Sequence, residues 1–236
     1  MADAQTLGLA LSPADLVKLQ AWFSPSFPVG AFSYSHGLEW AVQAGDVRSA
    51  QSLCGWIEGL LRHGSARSDA IVLCAIWRAV SSQDWSKARE IGALAAALQP
   101  TAERHAESLG QGSAFLVAMT AAWPHPAIQC FRELCPGEAA LPVAAGAAAA
   151  AHGLPLDAVL IAYLHAFAAN LVSAGVRLVP LGQTDGLKVT VALEPAILDV
   201  AGEAHAARFE DFGSAGVLAD IASMRHETQY TRLFRS

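Results

Sequence analysis

Three short stretches hold the residue types from which active sites are assembled. SYSHG at 33–37 sets Ser35 beside His36 and ahead of a glycine. A Gly-x-Ser-x-Gly nucleophile elbow needs glycine where Ser33 stands and a strand feeding the turn, and no strand pattern precedes it. Neighbouring residues on a helix also point in different directions, so Ser35 and His36 are not a dyad by adjacency. HETQY at 226–230 opens like a zinc-protease helix but carries Tyr230 where the second histidine of His-Glu-x-x-His belongs. WPHPAIQCFRELC gathers His125, Cys130 and Cys135 in a spacing that fits no standard zinc pattern, and its cysteines fall on different faces of an expected helix. A Gly-x-x-x-x-Gly-Lys-Ser/Thr phosphate loop is missing. One enzymatic alternative stays open, a small metal-dependent or hydrolytic enzyme using His36/Ser35 or the His125/Cys130/Cys135 group. The residues themselves assign no catalytic group, metal ligand or cofactor.

The elements that must position these groups are helical almost throughout. SPADLVKLQAW starts with Ser12 as cap and Pro13 at the first helical position. In RSAQSLCGWIEGLLRHG, Leu53, Trp56, Ile57, Leu60 and Leu61 form one stripe at steps of three and four, the mark of an amphipathic helix. SDAIVLCAIWRAV, DWSKAREIGALAAALQ, PTAERHAESLGQGSAFLVAMTAAW, PAIQCFREL, PVAAGAAAAAHG and PLDAVLIAYLHAFAANLVSAGVRLV continue the pattern, separated by short Gly/Pro punctuation. LKVTVAL alternates β-branched residues, yet Thr184-Asp185 ahead of it reads as a cap, so it too is expected to be helical. The result is an all-α single domain of about ten helices with antiparallel neighbours. Its expected parts are an N-terminal segment and first helix over 1–23, a core over 24–224 and a tail over 225–236.

Composition bounds the function. Hydrophobic residues make up 53% of the 236 and charged residues 15%, so part of the surface must be apolar, as partner-binding surfaces are. The net charge of −6 offers no basic field for nucleic acid. Four cysteines without a disulfide framework suit a reduced, cytoplasmic protein. The acidic start lacks the charged region of a signal peptide. Ala158 to Val176 is apolar but interrupted by His165, Asn170 and Ser173, which favours a buried helix over a membrane span.

Two stretches read as contact surfaces. In SPSFPVGAFSYSHGLEW, Pro25 and Pro28 extend the path and Gly30 permits a turn. Ser33 or Ser35 can then cap a helix through Leu38, Trp40 and Val42 that exits at Gly45. This is a rigid helix–helix connection, or one that also presents Tyr34, His36 and Glu39 to a partner. The chain ends MRHETQYTRLFRS, placing Tyr230, Leu233 and Phe234 on one helical face among Arg225, Arg232 and Arg235. Aromatics and arginine dominate interface hot spots. Burying one such ring is worth ~2–3 kcal/mol, so Phe234 must dock on its own body or on a partner, and composition favours the partner.

These stretches resemble the UreF family of urease accessory proteins. SPSFPVGAFSYSHGLEWAVQAGDV is similar to its N-terminal signature, TAERHAESLGQG to its central segment, VRLVPLGQTDG to its late loop and MRHETQYTRLFRS to its tail. Leu187 stands where the family often has Gln, and Ala31 where a second Gly is common. The resemblance implies an all-α, non-enzymatic chaperone of nickel-enzyme maturation. Such proteins dimerise, bind UreD (also called UreH), recruit the GTPase UreG and engage apo-urease. It implies a UreD contact at Tyr230, Arg232, Leu233, Phe234, Arg235 and Ser236, and a UreG surface at Tyr34, His36, Gly37 and Glu39. Arg177 and Gln183 would line the dimer or the path between subunits. The tail is expected to become ordered only on UreD.

Overall fold

A computed structural model describes residues 11–134 and 139–236. The first ten residues, Cys135 and the Pro-Gly-Glu at 136–138 lie outside the described residues, and with them the reading of the N-terminal start. Among the described residues eleven α-helices follow in order: α1 Pro13–Trp22, α2 Leu38–Ala44, α3 Ala50–His63, α4 Ser65–Ser81, α5 Trp85–Ala97, α6 Ala102–Ala122, α7 Pro126–Leu134, α8 Leu141–Ala151, α9 Leu156–Leu178, α10 Gln183–Ala206 and α11 Val217–His226. The fold is all-α, and no strand occurs among the described residues.

Local chemistry sets the helix starts. Ser12 accepts the Asp15 amide at α1 and Asp84 accepts the Lys87 amide at α5. Ser49 and Ser52 form a reciprocal capping box at α3. Thr101 accepts the Arg104 amide at α6 while its hydroxyl meets Ser223 of α11, so one cap also joins two helices. The alternating LKVTVAL stretch is helical as expected: it lies inside α10, whose buried face carries Val189, Leu193, Ile197 and Val200.

The alanine-rich α8 forms the centre. Nearly all its residues are buried, and a side chain at Gly146 would fall within 2.8 Å of the Leu73 carbonyl of α4. Small residues there bring helix backbones close, the kind of packing that fills a core without bulk. Long, apolar α9 has the length and composition to cross a membrane. Here it packs against α3, α4, α8 and α10, with Leu160, Leu164, Leu171 and Ala174 fully enclosed.

The Ser24–Trp40 connection differs from its expected form: Pro25 and Pro28 sit in successive turns rather than an extended path, and α2 starts differently. Gly45 takes the left-handed exit foreseen for it, at φ +85°, and the turn at Gly30 is made at φ +73°. The residue capping α2, however, is Gly37 at φ +76°, preceded by His36 at φ +54°. Two consecutive left-handed residues swing the imidazole inward. A β-carbon on Gly37 would also sit 2.8 Å from the Ser223 nitrogen, so glycine is what lets α2 meet α11.

Candidate functional site

The last ten residues do not continue α11. The helix stops at His226, and turns lead into an irregular tail that lies along the connection between Gly30 and α2. The Arg235 amide donates to the Ser33 carbonyl at 2.8 Å, and the Ser35 amide donates to the Ser236 carbonyl at 2.7 Å. The Ser35 hydroxyl donates to that same carbonyl and accepts the Glu39 amide. Glu39, in the first turn of α2, accepts the Leu233 amide at 2.7 Å on one oxygen and the Phe234 amide at 2.9 Å on the other. A carboxylate taking several N–H bonds is a strong acceptor, which explains why these amides leave the helical pattern.

Phe234 is 4% exposed, and the Arg177 guanidinium lies 4.4 Å from its ring centroid in a cation–π contact. Arg177 also donates to the Phe32 carbonyl at 3.1 Å, so the end of α9, the connection and the tail meet at one side chain. The Tyr230, Leu233, Phe234 spacing therefore does not make a helical face. A bent, non-helical backbone turns Phe234 inward while Tyr230 is fully exposed and Leu233 is 66% exposed. In this structure the tail is bonded to its own domain, at Ser33, Ser35, Glu39 and Glu107.

Beneath the tail lies a buried polar cluster from α6. The Ser236 hydroxyl donates to Glu107 at 2.9 Å, and Glu107 also receives Arg104, Gln111 at 2.9 Å and His36 Nε2 at 2.7 Å. Burial would raise the Glu107 carboxyl, but Arg104, His36 and Ser236 outweigh it and hold it at about 2. Burial and the Arg104 charge push His36 down against the pull of Glu107. The imidazole is thus neutral, donates from Nε2 to Glu107 and packs edge-on against Phe167 at 4.8 Å. Farther in, Tyr163 donates to Asp69 at 2.9 Å, and burial pushes Asp69 up to about 6 despite Arg104 and Tyr163.

This geometry corrects the exposure expected of His36 and Glu39. His36 and Glu39 are each 7% exposed and Gly37 is buried, so all three lie at the inside of the tail's seat. Only Tyr34 of that group stays half-exposed. Ser35 and His36 are engaged by different partners, the tail carbonyl and Glu107, and do not address each other. His125 accepts the Ala127 amide at 3.2 Å and Cys130 sits half-buried on α7. Among the described residues no group of three or more His, Cys, Asp or Glu could hold a metal ion. Gln183 opens α10 exposed to solvent.

Sequence reading missed Glu103, Arg104, Glu107, Asp69, Tyr163 and His226 as parts of one network. A signal was present: Arg104, Glu107, Ser108 and Gln111 recur at helical spacing on α6. A polar stripe of that kind reads as a solvated face, yet all four are buried.

Fold and site together define an all-α, single-domain protein organised around a C-terminal tail seated on its own first connection. The family model described as UreF matches residues 47–194. A urease accessory protein UreF from Rhodopseudomonas palustris (strain BisB5) is 52% identical over 223 residues, covering 94% of this chain and 92% of that protein. Those from Agrobacterium fabrum (strain C58 / ATCC 33970) and Xanthobacter autotrophicus (strain ATCC BAA-1158 / Py2) are 51% and 50% identical over 94% and 95% of this chain, covering 97% and 93% of their own lengths. The chain belongs to the UreF family of urease accessory proteins.

Proposed function

We propose that the chain is a non-enzymatic, cytoplasmic maturation chaperone that binds UreD/UreH through its tail. With UreD/UreH it recruits the GTPase UreG to apo-urease and supports delivery of nickel as cargo. The observation that carries this reading is the split personality of the tail. Phe234 and Ser236 anchor it inward, which leaves Tyr230, Arg232, Leu233 and Arg235 turned outward on a fixed frame. Aromatic, leucine and arginine groups held rigidly present a hot spot whose ordering entropy is already spent on folding. Helix α11 extends the surface with exposed Val217, Leu218, Ile221 and Met224. Tyr34 remains the candidate contact for UreG, while His36, Gly37 and Glu39 act through the tail they hold.

Homodimerisation is proposed through α10, where Leu187, Val191 and Leu198 are exposed at steps of four and seven, next to Gln183 and the Arg177 end of α9. The test is co-purification with UreD of the wild type, of a Tyr230→Ala/Leu233→Ala double variant and of a chain lacking residues 232–236. Both variants should lose UreD at least tenfold while keeping wild-type helicity by circular dichroism, about 1.4 kcal/mol or more of binding free energy. Undiminished capture of UreD by the double variant would refute the reading.

A further inference from the structure

A cavity of about 240 Å³ is bounded by the end of α1, the Ser24–Trp40 connection, α6 and α9. Trp22, Phe23, Phe115 and Phe167 give it aromatic walls, and it reaches the surface beside Phe32 and His165, which are exposed. An apolar cavity of ~150 Å³ holds one benzene, so this space takes a single ring with a short substituent. Two side-chain atoms of its wall residues are buried without a hydrogen-bond partner, Nε1 of Trp22 and Nδ1 of His36. The indole nitrogen is a donor only. The imidazole donates from Nε2 to Glu107, so its Nδ1 carries a lone pair and is an acceptor. Gln111 adds a second acceptor: its amide nitrogen donates to Glu107, which leaves its carbonyl oxygen for the cavity. Buried tryptophan N–H groups ordinarily find a partner, and an unmet donor and unmet acceptors around one cavity call for a ligand that carries both. The ionic groups of the wall are already matched, Arg104 by Glu107 and Asp69 by the Tyr163 hydroxyl. A cation would face Arg104, and an anion would face Glu107 and Asp69, so the fitting ligand is neutral.

We propose that this cavity is a binding site for a small neutral carboxamide bearing one aromatic ring. The ring lies among Phe23, Phe115 and Phe167, the amide carbonyl accepts the Trp22 N–H, and the amide N–H groups donate to Nδ1 of His36 and to the Gln111 carbonyl. An ester supplies the acceptor without the donor, and a hydrocarbon supplies neither. The site borders the tail's seat, because the imidazole it uses also holds Glu107, and Glu107 receives the Ser236 hydroxyl. A ligand donating to Nδ1 fixes the ring in the tautomer that donates to Glu107. The site is a property of the isolated chain and is tested there.

The experiment is an NMR titration of the full-length, isotopically labelled chain with benzamide, with methyl benzoate and toluene as controls of matching ring. Benzamide should shift the Trp22 indole N–H and the His36 ring nitrogens saturably, with a Kd of about 1 mM or tighter. Methyl benzoate and toluene should bind about tenfold more weakly or worse, because each leaves a polar group of the wall unmet. Trp22→Phe keeps an aromatic ring and removes the N–H, so it should lose about tenfold for benzamide and little for toluene. The absence of a saturable benzamide shift, or shifts confined to residues away from the cavity, would overturn the site. Equal binding of all three compounds would overturn it as well, since the cavity would then read a ring and not an amide. Should the variant fail to fold, the three compounds compared on the wild type decide alone. UreD binding plays no part in this test, so its failure and that of the tail contact are separable.

Discussion

Glu39 accepts the amide of Leu233 at 2.7 Å across 194 residues of chain, and this bond joins the first connection of the domain to its last residues. Together with the Phe234 amide on the second oxygen, it makes one buried carboxylate the clamp of the tail. A clamp of this kind is strong because the acceptor is charged and the donors are backbone groups that have no helical partner left.

Replacing Glu39 by Gln keeps the size but turns an NH2 group toward one of the two amides. Each amide left unsatisfied costs about 1–3 kcal/mol, enough to free the tail without unfolding the core. The expected outcome is rapid hydrogen exchange over residues 230–236 with unchanged exchange in α4, α8 and α9. Unaltered protection of the Leu233 and Phe234 amides in Glu39→Gln would show that the clamp lies elsewhere.

Two buried carboxylates give opposite pH signatures. Asp69 is raised to about 6 by burial, above its unfolded value, so the folded state binds its proton more tightly. Its contribution to stability is therefore greatest below the unfolded value and declines as pH rises through about 6. Glu107, held at about 2, contributes above its unfolded value and loses that contribution as pH falls toward about 2. Asp69→Asn keeps an acceptor for Tyr163 and should stabilise the protein at neutral pH, on the order of 1–3 kcal/mol, with little gain near pH 4. Glu107→Gln should destabilise at neutral pH, because it leaves Arg104 charged and buried. Denaturant titrations across pH measure both, and a Glu107→Gln variant as stable as wild type would contradict this account of the cluster.

Gly37 and Gly30 share a left-handed backbone but differ in surroundings. Nothing lies within 4 Å of a β-carbon placed on Gly30, whereas one on Gly37 would strike the Ser223 nitrogen at 2.8 Å. Gly30→Ala should cost about 1 kcal/mol, from backbone conformation alone. Gly37→Ala should cost more and push α11 from α2, taking the tail with it. Thermal melts of the two variants check the order; equal losses would remove the helix approach as the reason for glycine.

Much of the fold is legible in the sequence because it rests on local chemistry. Ser12 announces a helix start, Gly45 announces an exit, and the 3.6-residue period carries α3 and the β-branched stretch inside α10. The tail's posture is not local. Tyr230, Leu233 and Phe234 have helical spacing, but their backbone is drawn off by a carboxylate that α2 supplies from the far end of the chain. The same holds for α6, whose Arg104, Glu107 and Gln111 resemble a solvated stripe until His36 and Ser236 arrive as partners. Spacing registers which residues share a face, and pairing across the fold decides whether that face meets water.

The central claim is that the tail is seated on its own domain before any partner arrives. Hydrogen exchange of the full-length chain, alone and with UreD, tests it most directly. The account predicts that the Ser35, Leu233 and Phe234 amides are protected in the free chain, with UreD adding protection mainly at Tyr230 and along α11. Exchange of all tail amides at the rate of an unfolded peptide until UreD is added would contradict it.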